Sequence, residues 1–178
     1  MSSEEVLSSK LVFDGRAVKL RVDTIRMPDG RETTRETVEH SEVVVVVAID
    51  ADGKALLVRQ FRHPAGKELL EIPAGGIDGD EDPETAVRRE MQEETGYLPG
   101  KVERLGGFYS APGFCTEYLH LFLATDLTPS RLYAEDTDEI TLLRVSLTEV
   151  PGLITSGEIC DAKSIAGLLT YLEYRKTR

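Results

Sequence analysis

The chain has 178 residues, a length typical of one domain, and 40% of them are hydrophobic, which is enough for a proper core. Its formal net charge is −11, so most of its surface repels phosphate backbones, which argues against duplex nucleic acid as a partner. The N-terminus carries no apolar signal region, no apolar run reaches membrane-spanning length, and the two cysteines make no disulfide framework. These features predict no membrane association and a cytoplasmic protein.

The first 40 residues predict a small antiparallel sheet. The first eight are polar and indicate no regular element. Apolar and polar residues alternate in 18–27 and again in 31–40, and the turn Pro28-Asp29-Gly30 between them predicts a β-hairpin. Because this hairpin has few apolar residues for its length, we expect segment 1–40 to pack on the main domain, 41–178, or on a second subunit.

The rest of the chain alternates strands and helices. Residues 42–50 form a nearly continuous β-branched run, which predicts a strand buried on both faces. Further strands are predicted at 54–62, 69–75, 102–110, 117–127 and 140–147, and Leu98-Pro99-Gly100 is expected to turn the chain. This order indicates an α/β fold, an α/β/α sandwich with a mixed sheet.

Two C-terminal helices complete the prediction. A short one is expected within 148–159. The final helix should begin after Asp161 and bury one apolar stripe made of Ile165, Leu168, Leu169 and Leu172.

A glycine-rich loop followed by a helix occupies 75–97. Asp82 is a suitable N-cap residue, and Pro83 is suited to the first position of the helix. Gly96 can end the helix because glycine readily adopts the left-handed backbone conformation. A buried stripe at helical spacing comprises Ala86, Val87 and Met91.

The polar side of this helix is strongly acidic. Glu90, Glu93 and Glu94 sit at i, i+3 and i+4, so their carboxylates share one face. On an ordinary helix this would be a solvated face tied down by Arg88 and Arg89. Beside a glycine-rich loop, the same oxygen ligands could instead hold Mg²⁺ against the phosphates of a substrate.

These residues resemble the Nudix signature, G-x5-E-x7-R-E-U-x-E-E-x-G-U, where U is a bulky aliphatic residue. The matching positions are Gly75, Glu81, Arg89, Glu90, Met91, Glu93, Glu94 and Gly96, with Tyr97 a loose match at the last U. The resemblance implies the Nudix-type sandwich and two or three bound Mg²⁺ ions, with Mn²⁺ as an alternative. It also implies metal ligands at the Ala74 carbonyl, Glu90 and Glu94, with help from Glu93, while Arg89 orients the carboxylates and Glu81 participates more loosely.

Two flanking stretches resemble the ADP-ribose pyrophosphatase branch of that family. One is 58–77, VRQFRHPAGKELLEIPAGGI, and the other is the loop around Pro112, which lies 16 residues after Gly96. Without the resemblance, the first stretch would be interpreted as the solvated end of a strand and the second as a rigid Pro-Gly loop. The resemblance implies that the substrate is contacted at Arg62, Gly76, Ala111, Pro112, Gly113 and Glu117.

A second acidic cluster precedes the last strand and comprises Glu135, Asp136, Asp138 and Glu139. On its own it would be a solvated loop or a weak cation site. The resemblance implies that Asp136 is the catalytic base and that Asp138 is a further metal ligand. Relatives often have Glu at both positions, so Glu135 or Glu139 could serve instead.

Within the N-terminal segment, four residues match family positions that bind the adenosine part of the substrate: Arg16, Arg35, Glu36 and His40. In some relatives these positions act across a dimer interface, so the resemblance implies a homodimer with exchanged N-terminal segments. A charged, exposed hairpin would account for the same residues.

The resemblance as a whole implies Mg²⁺-dependent hydrolysis of ADP-ribose, a nucleoside diphosphate sugar, to AMP and ribose 5-phosphate. The alternatives are GDP-mannose, other nucleoside diphosphate sugars or NADH as substrate, or a Nudix domain that senses nucleotides without catalysis. Because such sensors commonly lack acids of the signature and none is missing here, an enzyme is favoured.

Overall fold

A computed structural model describes residues 4–134 and 139–177. The described residues form two compact units. One contains the residues up to Glu42 together with Tyr109–Tyr118, and the other contains Val43–Phe108 together with Leu119 and the residues after it.

The first unit is built on a three-stranded antiparallel sheet in the order β1-β2-β3, with β1 at Glu5–Asp14, β2 at Lys19–Arg26 and β3 at Glu32–Glu39. The predicted hairpin is confirmed as β2 and β3. At its turn Gly30 has a φ of 87° and donates its N–H to the Met27 carbonyl at 2.9 Å.

Strand β1 corrects the expectation that the first eight residues have no regular structure. It pairs along the other edge of β2, where Val6 lies opposite Ile25 and Lys10 opposite Val22. Ile25, in β2, is buried, with 2% of its surface exposed. All ten residues of β1 remain exposed, so the strand is held by backbone pairing with β2 and its first residues show no buried apolar pattern that would have predicted it.

The second unit contains a seven-stranded mixed sheet with the path β10-β5-β4-β9-β8; β6 pairs with β5 and β7 with β4. The strands are β4 Val43–Ile49, β5 Lys54–Arg62, β6 Lys67–Glu71, β7 Ala74–Gly76, β8 Tyr97–Tyr109, β9 Tyr118–Pro129 and β10 Thr141–Ser146. The β4–β9 pair is parallel, whereas β5 runs antiparallel to β4, β6 and β10.

The predicted turn at Leu98-Pro99-Gly100 is wrong, because these residues lie inside β8. Proline has no N–H to give to a neighbouring strand, so it is tolerated where a strand has a free side. Strand β8 ends the strand order and provides that side.

Helices cover both faces of the sheet, as the sandwich prediction requires. They are α1 Pro83–Glu90, α2 Val150–Thr155 and α3 Ala162–Lys176. Every residue of β4 is buried. On one face of the sheet, Val44 and Val46 pack in a core cluster with Met91, the residue that follows α1. On the other face, Val45 and Val47 pack in a second cluster with residues of α2 and α3. None of the described helices is long and apolar enough to cross a membrane.

The buried stripe of α3 differs from the prediction at Leu169, which is 44% exposed. The helix meets the sheet along Ser164, Leu168 and Tyr171, all buried, at the spacing of one helical face. Gly167 lies on the same face, close to Ile72. Leu169 follows Leu168 by about 100° around the helix and so points away from this contact.

Candidate active site

The loop and helix of residues 75–97 begin as the sequence predicts. Asp82 accepts hydrogen bonds from the N–H groups of Glu84 at 3.0 Å and Thr85 at 3.2 Å, and Pro83 opens α1. These bonds satisfy donors that would otherwise lack a partner at the start of the helix. The helix is therefore fixed at the end where the glycine-rich loop enters it.

The other end is not α-helical. Beyond Glu90 the chain forms a π-helical segment, Met91–Thr95, and Gly96 ends it with a φ of 77°. Such single π turns within α-helices are frequent at functional sites. Two of the three acids of the predicted face, Glu93 and Glu94, therefore project from a wider turn than the one that carries Glu90.

Gly75 lies directly against Glu90. A Cβ built on Gly75 would lie 1.9 Å from Glu90 Cδ, whereas a Cβ on the adjacent Gly76 would meet nothing within 4 Å. The side chain of Glu90 therefore fills the space in which residue 75 would carry a side chain, and only glycine fits this position.

Arg89 gathers the acids and the loop. Its guanidinium donates to Glu81 at 2.9 and 3.2 Å, to Glu90 at 2.5 Å, to Glu93 at 3.2 Å and to the Gly76 carbonyl at 2.8 Å. These hydrogen bonds, first that with Glu81, raise the pKa of Arg89 and lower the pKa of Glu81. The geometry agrees with the orienting role that the resemblance implies for Arg89.

Glu94 is in a different electrostatic situation. It accepts the N–H of Ala74 at 3.0 Å and forms no ion pair with any described residue. Burial raises its pKa to about 8 and the charge of Glu90 adds to the shift, while the Ala74 hydrogen bond and the charge of Arg62 oppose it. Burial likewise raises the pKa of Glu90 against the opposing charge of Arg89.

Glu90, which is buried, and Glu94, which is partly buried, both have raised pKa values and fit a divalent cation, because a cation bound beside them would offset both the desolvation and their mutual repulsion. Within 4–134 and 139–177, however, no three His, Cys, Asp or Glu side chains are already arranged around a common metal position. Glu90 and Glu93 instead each accept a hydrogen bond from Arg89 Nη1.

Arg62, at the end of β5, is held by a carboxylate that sequence reasoning missed. Glu71, only 1% exposed, accepts hydrogen bonds from Arg62 Nε at 3.0 Å and Nη2 at 2.7 Å. It also accepts one from Lys163. An acid in the otherwise apolar run LLEIP was the available signal, because a charged residue is buried only when it is paired.

In the first unit, the structure brings together three of the predicted residues. Arg16 and His40 line one cavity of about 310 Å³, and His40 Nδ1 lies 3.5 Å from Glu117 Oε1.

The loop with Ala111, Pro112 and Gly113 is fixed to the end of β3. The N–H of Val38 donates to the Phe114 carbonyl at 2.7 Å, and that of Thr116 donates to the Val38 carbonyl at 3.0 Å. The loop is therefore held next to His40, which lies two residues beyond Val38.

The other two predicted residues of this unit, Arg35 and Glu36, lie apart from that cavity. Arg35 pairs with Glu4 at 2.7 Å and lines a second cavity with Met27 and Arg31. It stands five residues before His40, roughly 16 Å along an extended strand. Glu36 is exposed.

The acids Glu135, Asp136 and Asp138 lie outside the described residues. Their predicted roles as catalytic base and further metal ligand stay predictions.

Comparison with known proteins bears on this arrangement. The NUDIX domain family model matches residues 39–168, and the model of the nucleoside diphosphate sugar hydrolase N-terminal domain matches residues 4–38. An ADP-ribose pyrophosphatase of Bacillus subtilis (strain 168) is 36% identical over 175 residues, covering 97% of this chain and 94% of that protein. A methanol dehydrogenase activator of Bacillus methanolicus is 37% identical with the same coverage.

The fold has a solved counterpart. The crystal structure of an ADP compounds hydrolase matches with a TM-score of 0.90 and covers 98% of this chain and 95% of that one; at 21% identity the likeness shows the fold alone. The family match, together with relatives of this identity over nearly the whole length, shows that the chain belongs to the Nudix hydrolase family.

Proposed function

We propose that this protein hydrolyses the diphosphate of ADP-ribose in the cytoplasm, giving AMP and ribose 5-phosphate. The observation that carries the proposal is the intact set of signature carboxylates around Arg89, with Glu94 hydrogen-bonded to the N–H of Ala74. Arg62 agrees with it, because its positive charge opposes the rise in the pKa of Glu94 and a guanidinium is suited to binding a phosphate group.

The proposed reaction uses two or three Mg²⁺ ions, with Mn²⁺ as an alternative, held by the Ala74 carbonyl, Glu90 and Glu94 with help from Glu93 and Asp138. Bound there, the metal would offset the charge of the diphosphate and lower the pKa of the attacking water. The chain itself supplies the frame: Gly75 leaves room for Glu90, and Arg89 keeps the neighbouring acids in place.

We assign the general base to the acidic segment before β10, with Asp136 first and Asp138 as a metal ligand. Asp136→Asn and Asp138→Asn should each lower kcat with little change in KM, because these groups act mainly in the transition state. Equal, mild effects at both positions would instead assign the role to Glu135 or Glu139.

The substrate is tested by one turnover screen across ADP-ribose, GDP-mannose, ADP-glucose and NADH with Mg²⁺ or Mn²⁺. We expect AMP from ADP-ribose, fastest among the four, and no reaction with a chelator. Faster turnover of another compound would reassign the substrate. ADP-ribose that binds without turnover under either cation would identify a nucleotide sensor.

We further propose a homodimer in which segment 1–40 of one subunit helps to build the substrate site of the other. The support is the apolar surface of β1, where Val6, Val12 and Phe13 are each more than half exposed and lack a covering layer among the described residues. An exposed strand of this kind is a ready pairing surface, and most soluble oligomers are symmetric homodimers. Arg35, remote from the cavity at Arg16, could then serve the partner's site.

Light scattering of the full chain at micromolar concentration tests the dimer directly. Removing residues 1–40 should give a monomer, or an insoluble chain, with weakened substrate binding. A full-length monomer with full activity would overturn both the dimer and the shared site.

A further inference from the structure

Among the described residues of the second unit, the most completely buried acid is not one of the signature carboxylates. Glu71 ends β6 three residues before Ala74, and 1% of its surface is exposed. A carboxylate in such a place is strongly destabilising unless cations and hydrogen-bond donors surround it. The buried charge of Glu71 is balanced by two cationic partners, Arg62 and Lys163.

The contact with Arg62 fixes the direction of a guanidinium. Nε and Nη2 of Arg62 donate to the two different oxygens of Glu71, at 3.0 and 2.7 Å. This two-point contact leaves a planar group little freedom to rotate. Nη1 donates to no described residue, and 39% of the side chain is exposed, so Arg62 keeps a donor for a further anion.

Lys163 is the second cation on the carboxylate and contacts Oε2, the oxygen that also accepts Arg62 Nη2. It donates to Glu71 and, at 2.9 Å, to Asp161, the residue that caps α3. The same first turn of α3 carries Ser164, whose hydroxyl accepts the N–H of Ile72 at 2.9 Å. The start of α3 thus holds the chain at residues 71 and 72, shortly before the proposed metal ligand Ala74.

We propose that Glu71, supported by Lys163, is the positioning residue that aims Arg62 at the substrate diphosphate. This inference rests on the proposed function. Glu71 itself does not touch the substrate: it holds one edge of the Arg62 guanidinium so that the other edge meets a phosphate oxygen without first losing rotational freedom. Losing Glu71 should therefore weaken substrate binding as losing Arg62 does, while the metal site and the chemical step stay intact.

The test measures kinetics of the full chain with ADP-ribose and saturating Mg²⁺ for two single variants, their double variant and one control. Glu71→Gln should raise KM about 10-fold or more while kcat stays within about threefold, and the Mg²⁺ concentration for half-activation should not change. Arg62→Ala should raise KM by at least as much. In the double variant the two effects should not multiply, because both remove the same contact.

The matched control is Glu158→Gln, which removes the carboxylate partner of Arg59 on the same strand, β5. It should leave KM unchanged. If Glu71→Gln does not fold, Lys163→Met serves in its place and should raise KM in the same direction, since Glu71 loses its second cation.

A readout independent of turnover separates this inference from the proposed function. In a ¹⁵N NMR spectrum of the wild type, the Arg62 Nε–H should exchange slowly with water; Glu71→Gln should abolish that protection and Glu158→Gln should preserve it. A wild type that cleaves none of the nucleotides would overturn the proposed function, and the protection of Arg62 would still decide whether Glu71 holds it. A folded Glu71→Gln variant with KM within twofold of wild type, or an Arg62 Nε–H that is unprotected in the wild type, would overturn the positioning role.

Discussion

Replacing Gly75 by alanine should stop catalysis while leaving the protein folded. A Cβ at this position would lie 1.9 Å from Glu90 Cδ and 2.1 and 2.2 Å from its two oxygens, where ordinary contacts begin at 3.4 Å. The carboxyl group of Glu90 would have to retreat by about 1.5 Å, and a misplacement of about 1 Å in a catalytic constellation can lower the rate about 100-fold.

The expected loss in kcat is therefore about 100-fold or more, which corresponds to roughly 2.7 kcal/mol of transition-state stabilisation. The expected loss in the free energy of unfolding is only part of the total stability of the domain. Overpacking costs about 1–3 kcal/mol, against a total of about 5–15 kcal/mol for a typical domain. The atoms that must move are the end of one side chain, so the backbone of β7 can remain in place.

The assay is AMP release from ADP-ribose at saturating Mg²⁺, together with urea unfolding of the same preparation. Gly152→Ala is the control, because a Cβ there meets nothing within 4 Å. It should match wild type in kcat and be no less stable in urea, because alanine favours the helix α2 in which residue 152 lies. A folded Gly75→Ala enzyme within about threefold of the wild-type kcat, a difference of ~0.65 kcal/mol, would refute the claim that the position of Glu90 controls catalysis.

Two further predictions concern stability. Burial raises the pKa of Glu94 to about 8. Between about pH 4.5 and 8 the folded state therefore holds a proton that the unfolded state has lost. The free energy of unfolding of the metal-free protein should fall by up to about 5 kcal/mol as pH rises through this window. Urea unfolding with a chelator at pH 5 and pH 8.5 measures this loss, and Glu94→Gln should lose less; equal losses would show that Glu94 is not the titrating group. Asp82→Ala should cost about 1 kcal/mol because the N-cap bonds to Glu84 and Thr85 disappear, and an unchanged urea midpoint would contradict the role of that cap.

Local signals in the sequence predicted much of this fold. The turn at Pro28-Asp29-Gly30, the cap at Asp82 and the left-handed Gly96 each depend only on residues close by in the sequence, and each is confirmed. The β-branched run at 42–50 is likewise confirmed as a strand buried on both faces, because a continuous apolar run needs cover on each side.

The features that escaped prediction depend on contacts between distant parts of the chain. The pairing of Glu71 with Lys163 joins residues 92 positions apart. The exposure of Leu169 depends on which side of α3 meets the sheet, and sequence spacing alone allowed a wider stripe. The π turn beyond Glu90 was also missed, because acids at i, i+3 and i+4 fit an ordinary α-helix and give no sign of a wider turn.

The central claim is tested most directly by comparing Mg²⁺-dependent cleavage of ADP-ribose in wild type and Glu94→Gln. The substitution keeps the size of the side chain and removes the charge of a proposed metal ligand. We expect the wild type to release AMP only when a divalent cation is present, and we expect kcat of the variant to fall by orders of magnitude with folding intact. A variant within about threefold of wild type, ~0.65 kcal/mol, would show that Glu94 is not a metal ligand and would contradict the account.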